Sequence, residues 1–184
     1  MTFRQIAQRI RVPAGFVLAP LFIITARPTV QSLAAGAGLA AVGLAIRAYA
    51  SGYLKKNMEL TTTGPYGRTR NPLYLGTFLL GAGIAASGGA WWFIALFLAL
   101  YLLIYYPVMM AEADTLRKLF PEEYERYSRA VPMFFPRATA YRAEESRERR
   151  RFDKAQYLRH REYRALIGTL AVFALLAAKM LLKL

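Results

Sequence analysis

Cysteine is absent from this 184-residue chain, and histidine occurs only once, at His160. Without cysteine the chain has no disulfides, thiolate metal ligands or cysteine nucleophiles, and one histidine cannot form a His-rich metal cluster. Acidic residues are also scarce, because 11 Asp and Glu accompany 25 Lys and Arg, which gives a net charge of +14. The composition therefore argues against metal-dependent and cysteine-dependent chemistry.

Long uncharged runs make up much of the chain, of which 56% is hydrophobic. A helix needs roughly 20 apolar residues to cross a hydrocarbon core of about 30 Å. The last two runs reach that length, whereas the first three are shorter and need tilt or local thinning of the bilayer. We predict an all-α integral membrane protein with about five transmembrane helices, at residues 12–26, 32–46, 74–87, 90–111 and 165–184.

The basic residues are distributed unevenly around these predicted spans. Alternate threading places 22 of the 25 Lys and Arg on one side, and only Arg27, Lys179 and Lys183 on the other. This asymmetry predicts a cytoplasmic N-terminus, a cytoplasmic polar face and a C-terminus outside. The membrane thus explains the positive charge, and we expect no nucleic-acid partner. A membrane-anchored nucleic-acid binder that uses the basic residues 137–164 is the weaker alternative.

We divide the single membrane domain 1–184 into N-terminal helices (1–59), a core with a transmembrane hairpin (60–136), a charged cytosolic arm (137–164) and a C-terminal helix (165–184). Two segments match the dinucleotide-binding pattern G-x-G-x-x-A, but neither follows a predicted strand. We interpret them as surfaces for close helix packing. They comprise Gly36, Gly38 and Ala41, and Gly81, Gly83 and Ala86.

Local signals predict where several helices begin and end. "SGG" at 87–89 indicates a tight hairpin turn before Trp91, and Pro121 indicates a new short helix after a long one. Residues 141–164, with mixed charge around Glu144 and Arg147, resemble an exposed, ion-paired helix. A small-residue face in the last span should pack against another helix; it consists of Gly168, Ala171, Ala174 and Ala178.

Two polar segments flank the predicted hairpin: "LTTTGPYGRTRNPLYLG" at 60–76, and a pattern of Glu, Leu, Phe, Tyr, Tyr, Val-Pro and Pro at 112–136. Together they resemble the isoprenylcysteine carboxyl methyltransferase and phospholipid methyltransferase superfamily of intramembrane enzymes. The resemblance covers 60–136 and implies S-adenosylmethionine as cofactor, with S-adenosylhomocysteine as product. This chain departs from the family pattern at Asn71, where the family has histidine, at Ala113 and at Pro121.

The polar residues suit such chemistry because methyl transfer from a sulfonium requires binding, alignment and exclusion of water rather than a metal or a nucleophile. Arg70 can hold a carboxylate, and Glu112 can accept hydrogen bonds from ribose hydroxyls or an ammonium. The resemblance assigns catalytic roles to Arg70 and Asn71. It assigns cofactor binding to Gly64, Pro65, Tyr66, Arg70, Asn71, Tyr74, Leu75, Glu112, Tyr124 and Tyr127.

Each of these residues also has a structural interpretation. Arg68 and Arg70 can be ordinary cytoplasmic arginines, Glu112 can pair with Arg117 or Lys118, and the tyrosines can anchor the membrane interface. We expect a methyltransferase whose partner is a lipid or prenylated hydrophobic substrate in an adjoining groove, and we favour an isoprenylcysteine-type carboxylate. A phospholipid amine, a small thiol and a non-catalytic membrane protein are the alternatives.

Overall fold

The computed structural model describes residues 18–54, 59–141 and 152–183, and these residues contain helices and turns but no strand. Residues 18–25 are the described part of helix α1. A 3-10 turn, Gly64–Gly67, separates the second and third helices. The remaining helices are α2 (Val30–Ser51), α3 (Pro72–Ser87), α4 (Trp91–Leu119), α5 (Pro121–Ala130), α6 (Lys154–Arg159) and α7 (Tyr163–Leu182).

Within the part of the chain that the structure describes, three helices are long and apolar enough to cross a membrane: α2 with 22 residues, α4 with 29 and α7 with 20. These confirm the predicted second, fourth and fifth spans as candidates by length and composition. Helix α3 has 16 residues, or about 24 Å at 1.5 Å per residue, so it is a shorter candidate. The predicted first span, 12–26, lies partly outside the described residues.

Helices α2 and α3 pack with their backbones in direct contact at two pairs of glycines. A Cβ atom on Gly36 would lie 2.4 Å from the carbonyl oxygen of Gly83, and one on Gly43 would lie 2.6 Å from that of Gly76. Small residues allow this approach, which stabilises helix pairs where lipid is as apolar as the side chains. The packing interpretation is confirmed for Gly36 and Gly83 but not for Gly38, whose Cβ would meet no atom within 4 Å, and the contact of Gly43 with Gly76 was not predicted.

Hydrogen bonds join the helix ends at one side of the bundle. The amide of Arg27 donates to the carbonyl of Gly88 at 2.9 Å, which joins the α1–α2 turn to the α3–α4 turn. The predicted hairpin turn is confirmed, and its Gly89 has a φ of +78° that L side chains rarely adopt. Lys179 of α7 donates to the carbonyl of Ile23 at 2.9 Å.

The polar segments meet at the opposite end of the bundle. Helix α4 extends past its apolar part to Leu119, and Pro121 then begins α5, as predicted. After α5 the chain returns toward residues 61–71 through residues 131–141. The predicted ion-paired helix, 141–164, lies partly outside the described residues, and its described part is divided between the short helix α6 and the start of α7.

Helix α7 packs through a different face from the one we predicted. Leu176 is fully buried against Ala26, Ala85 and Phe93 in an apolar core. Leu176 fills the space beside the two alanines, so a branched side chain rather than a small one makes the contact. The predicted small-residue face is exposed, at Gly168, Ala171, Ala174 and Ala178.

Candidate functional site

A glycine-dependent turn opens the segment 61–71, which we call the motif loop. Gly64 has a φ of +60°, and a Cβ atom there would lie 2.7 Å from the ring of Tyr53. Both the backbone conformation and the aromatic contact therefore require glycine. Pro65 follows at the start of the 3-10 turn, where its fixed φ is favourable.

Residues 131–141, the return loop, bind the motif loop through backbone carbonyls. The hydroxyl of Thr69 donates to the carbonyl of Phe134 at 2.9 Å. The side-chain amide of Asn71 donates to the carbonyl of Met133 at 2.9 Å. The backbone amide of Arg70 donates to Pro132 at 3.0 Å. These contacts hold the start of α3 against the segment that follows α5.

The side chain of Arg70 extends toward α5. Its Nη1 donates to the hydroxyl of Tyr124 at 3.0 Å, and its guanidinium lies 5.9 Å from the centre of that ring. Tyr124 is only 2% exposed. The Nε atom of Arg70 is buried and has no hydrogen-bond partner among the described residues. Arg70 is thus held in place through Nη1, while the N–H group of Nε remains available to donate a hydrogen bond.

Glu112 is bound by a tyrosine rather than by a nearby cation. The hydroxyl of Tyr74 donates to Oε1 of Glu112 at 2.7 Å, whereas Arg117 pairs with Asp114 at 3.4 Å. The hydroxyl of Tyr101 donates to the carbonyl of Tyr74 at 2.8 Å, which holds α4 against α3 near this contact. The acid at the polar end of α4 is therefore oriented by α3.

Two buried tyrosines connect the motif loop to α5. The hydroxyl of Tyr127 donates to the backbone carbonyl of Tyr66 at 2.7 Å. The hydroxyl of Tyr66 is buried and unpartnered among the described residues. Burial, followed by the nearby Tyr127 and Glu112, raises the pKa of Tyr66 well above its ordinary value. Burial likewise raises the pKa of Tyr127, although the positive charge of Arg70 partly opposes the shift.

The structure brings the predicted residues together in pairs. Arg70 contacts Tyr124, Tyr74 contacts Glu112, and Tyr127 contacts Tyr66, whereas Asn71 binds the return loop. Leu75 lies beside Tyr74 on α3 and is half-buried. Sequence reasoning overlooked Thr63 and Thr69. The threonine run before Gly64 was the available signal for Thr63, and the position of Thr69 between two arginines in the same loop was the signal for Thr69, since threonine hydroxyls commonly bind backbone groups in turns.

An apolar cavity of about 280 Å³ lies between α1, α3 and α4. Phe22, Gly81 and Phe97 are among its lining residues. These positions belong to the half of the bundle near the α3–α4 turn, away from the motif loop. The groove that we expect beside the motif loop therefore stays a prediction and is not this cavity.

This arrangement defines a class of protein: an α-helical membrane protein with a site of arginine, glutamate and tyrosine at one end of the bundle. The chain belongs to the phospholipid methyltransferase family, which it matches over residues 17–123. The family resemblance predicted from the sequence is thereby confirmed. The matched region includes Arg70 and Glu112 and ends just before Tyr124.

Two curated relatives carry names that refer to metal resistance. The nickel-cobalt-cadmium resistance protein NccN of Alcaligenes xylosoxydans xylosoxydans is 37% identical over 110 residues, covering 59% of this chain and 50% of the relative. The cobalt-zinc-cadmium resistance protein CzcN of Cupriavidus metallidurans is 36% identical over 143 residues, covering 73% and 65%. The chain thus spans about half to two thirds of these relatives. No solved structure matches it.

Proposed function

We propose that this protein is an S-adenosylmethionine-dependent methyltransferase that acts on a hydrophobic acceptor within the membrane. One observation carries the proposal. Buried polar atoms without hydrogen-bond partners in the described residues occur at Thr63 Oγ1, Tyr66 Oη and Arg70 Nε. All three lie within the motif loop. Unpaired buried polar groups are costly, so their concentration in one loop indicates a site that takes a polar ligand.

The residues around these atoms fit the charges of the cofactor. S-adenosylmethionine carries a carboxylate, an ammonium and a sulfonium. Arg70 would hold the carboxylate through a charge-assisted hydrogen bond from Nε. Glu112, whose Oε1 is bound by Tyr74, would accept from the ammonium or from ribose hydroxyls through Oε2. The ring of Tyr74, which is only partly buried, would offer a face to the adenine or the sulfonium.

When bound, the cofactor supplies an electrophilic methyl group on a sulfonium with a neutral leaving group. The chain then has to align the acceptor and exclude water. Tyr66 and Tyr127 stay protonated at neutral pH because their pKa values are raised, so they serve as hydrogen-bond donors and not as bases. Asn71 does not titrate.

The shortage of bases at these positions favours an acceptor that is already ionised at neutral pH. A carboxylate meets this condition, whereas an ammonium must first lose a proton. We therefore favour an isoprenylcysteine-type carboxylate over a phospholipid amine, with a small hydrophobic thiol as the intermediate case.

The names of the two relatives associate them with metal resistance. We propose that any related role of this chain acts through a methylated product.

Calorimetry and a transfer assay on the full chain in detergent test the function. S-adenosylhomocysteine should bind, and label from methyl-labelled S-adenosylmethionine should pass to farnesylcysteine more readily than to phosphatidylethanolamine. Preferred labelling of phosphatidylethanolamine would leave the methyltransferase in place and overturn the choice of acceptor. If folded protein binds no S-adenosylhomocysteine at high micromolar concentration, a non-catalytic membrane protein of this family becomes the better description.

A further inference from the structure

An ion pair joins α2 to the start of α7 beside the candidate site. Nε of Arg47 donates to Oε2 of Glu162 at 2.9 Å, and Nη2 donates to Oε1 at 2.9 Å. The two side chains are 22% and 11% exposed. A guanidinium that donates two parallel hydrogen bonds to one carboxylate forms a strong and directional ion pair. Because both side chains are largely buried, removal of one partner leaves the other charge poorly solvated.

The same arginine also reaches α3. Its Nη1 donates to the hydroxyl of Thr77. Gly76 makes this possible, since a Cβ atom there would lie 2.6 Å from Cγ of Arg47. Arg47 therefore links three helices, and the space for its side chain exists because α3 has no side chain at Gly76.

Thr77 and Tyr74 are three residues apart on α3, so both lie on one face of a single helical turn. The hydroxyl of Tyr74 binds Glu112 at 2.7 Å. One turn of α3 is consequently held from two sides, by the Arg47–Glu162 pair at Thr77 and by the α4 acid at Tyr74. A shift of that turn would move the partner of Glu112.

Electrostatics and packing also connect the start of α7 with the motif loop. The pKa of Tyr66 is raised mainly by burial, then by Tyr127 and Glu112, and Glu162 adds a smaller contribution. Upstream of Glu162, Phe152 covers Gly52 at the end of α2, where a Cβ atom would lie 2.3 Å from its ring. The segment that begins at Phe152 thus lies against the same end of the bundle as the site.

We infer that Glu162, acting through Arg47, is a positioning residue of the candidate site that fixes the α3 turn carrying Tyr74. This inference rests on the proposed function. It goes beyond family membership because the family match ends at residue 123, before α6 and α7. The C-terminal helix is then part of the site's construction and not only an additional membrane anchor.

Four variants of the full chain test the inference through their affinity for S-adenosylhomocysteine. Glu162→Gln keeps the shape and removes the charge, and it should raise the dissociation constant by about tenfold or more, as misplacement of a site does. Glu162→Asp keeps the charge and should retain most of the affinity. Thr77→Val should weaken binding less than Glu162→Gln. Glu125→Gln, which breaks the exposed Glu125–Arg129 pair, is the matched control and should change nothing.

Thermal melts accompany each titration, so that loss of binding is scored only in folded protein. Equal affinities for the wild type, Glu162→Gln and Thr77→Val would overturn the inference while the proposed function stands. If Glu162→Asp were as weak as Glu162→Gln, charge would not be the cause, which also overturns it. A folded wild type that binds no S-adenosylhomocysteine would overturn the proposed function and this inference together.

Discussion

Nη1 of Arg70 lies 3.0 Å from the hydroxyl of Tyr124, and this contact joins the motif loop to the helix that follows α4. Because Nε of the same side chain stays unpaired among the described residues, a single guanidinium can bind protein and ligand together. A lysine has one nitrogen and cannot reproduce that geometry. The distinction separates a cofactor ligand from an arginine that only sets topology.

Arg70→Lys should therefore weaken S-adenosylhomocysteine binding by about 1.5 to 3 kcal/mol, the usual range for hydrogen bonds to charged groups. Glu112→Gln should have an effect of the same size. Arg68→Lys is the control, since Arg68 is exposed and should tolerate the change. Calorimetric titration with thermal melts gives the answer, and equal affinities for the wild type, Arg70→Lys and Glu112→Gln would refute the site assignment.

Close packing of α2 on α3 predicts opposite outcomes at two glycines. A Cβ atom on Gly43 would lie 2.5 Å from the amide nitrogen of Leu80, which is backbone and cannot rotate away. Gly43→Ala should destabilise the protein by about 1 to 3 kcal/mol, as overpacking does. Gly38→Ala has open space and should be neutral or stabilising by up to about 1 kcal/mol. Melting curves in detergent compare the two, and equal losses would contradict the packing.

Lys179 provides a second stability test. It donates to the carbonyls of Ile23 and Ile24, at the end of α1, where helix carbonyls lack partners within the helix. Lys179→Met should lower stability by about 1.5 to 3 kcal/mol. Lys183→Met, at the exposed end of α7, removes the same charge and should have little effect. Similar melting temperatures for the two variants would show that the capping contact contributes nothing.

Alkaline pH should destabilise the fold through its buried phenols. The pKa of Tyr66 is raised by burial, so folded protein retains a proton that the unfolded chain releases above about pH 10. This stabilisation is fully present below that pH and is lost as pH rises further. Tyr66→Phe should flatten the decline in melting temperature between about pH 9 and 11. Tyr163→Phe, at an exposed position, should leave it unchanged.

Reporter fusions test the orientation predicted from the charge asymmetry. A reporter after Leu184 and one inserted between Gly88 and Gly89 should both report the outer side, because the α3–α4 turn and the end of α7 lie at one end of the bundle. A reporter on the N-terminus should report the cytoplasm. Cytoplasmic signals from all three positions would refute the orientation.

Features with a local cause were predictable from the sequence. "SGG" makes a turn because glycine adopts the conformation at Gly89, and Pro121 begins a helix because its missing N–H costs nothing there. The motif loop was recognisable because glycine, proline and arginine occur together between apolar runs. In each case the information lies within a few residues of the feature.

Features that depend on contact between distant segments were not predictable. Arg47 and Glu162 are 115 residues apart, and the sequence around either residue does not indicate which residue it contacts. The packed face of α7 was predicted wrongly for a related reason. In a membrane, the helix face that contacts lipid is as apolar as the face that packs against another helix. The pattern of polar and apolar residues therefore does not distinguish the two faces.

The hydrogen bond from Asn71 to Met133 spans 62 residues, and this separation constrains the order in which the protein is made. The return loop leaves the ribosome only after α3, α4 and α5 have been synthesised. The motif loop therefore cannot form its hydrogen bonds to the return loop while the hairpin is still being synthesised. A chain truncated before Pro132 retains the residues of the family match yet lacks the carbonyls that bind Thr69, Arg70 and Asn71. The contacts between the motif loop and the return loop therefore form only late in biogenesis.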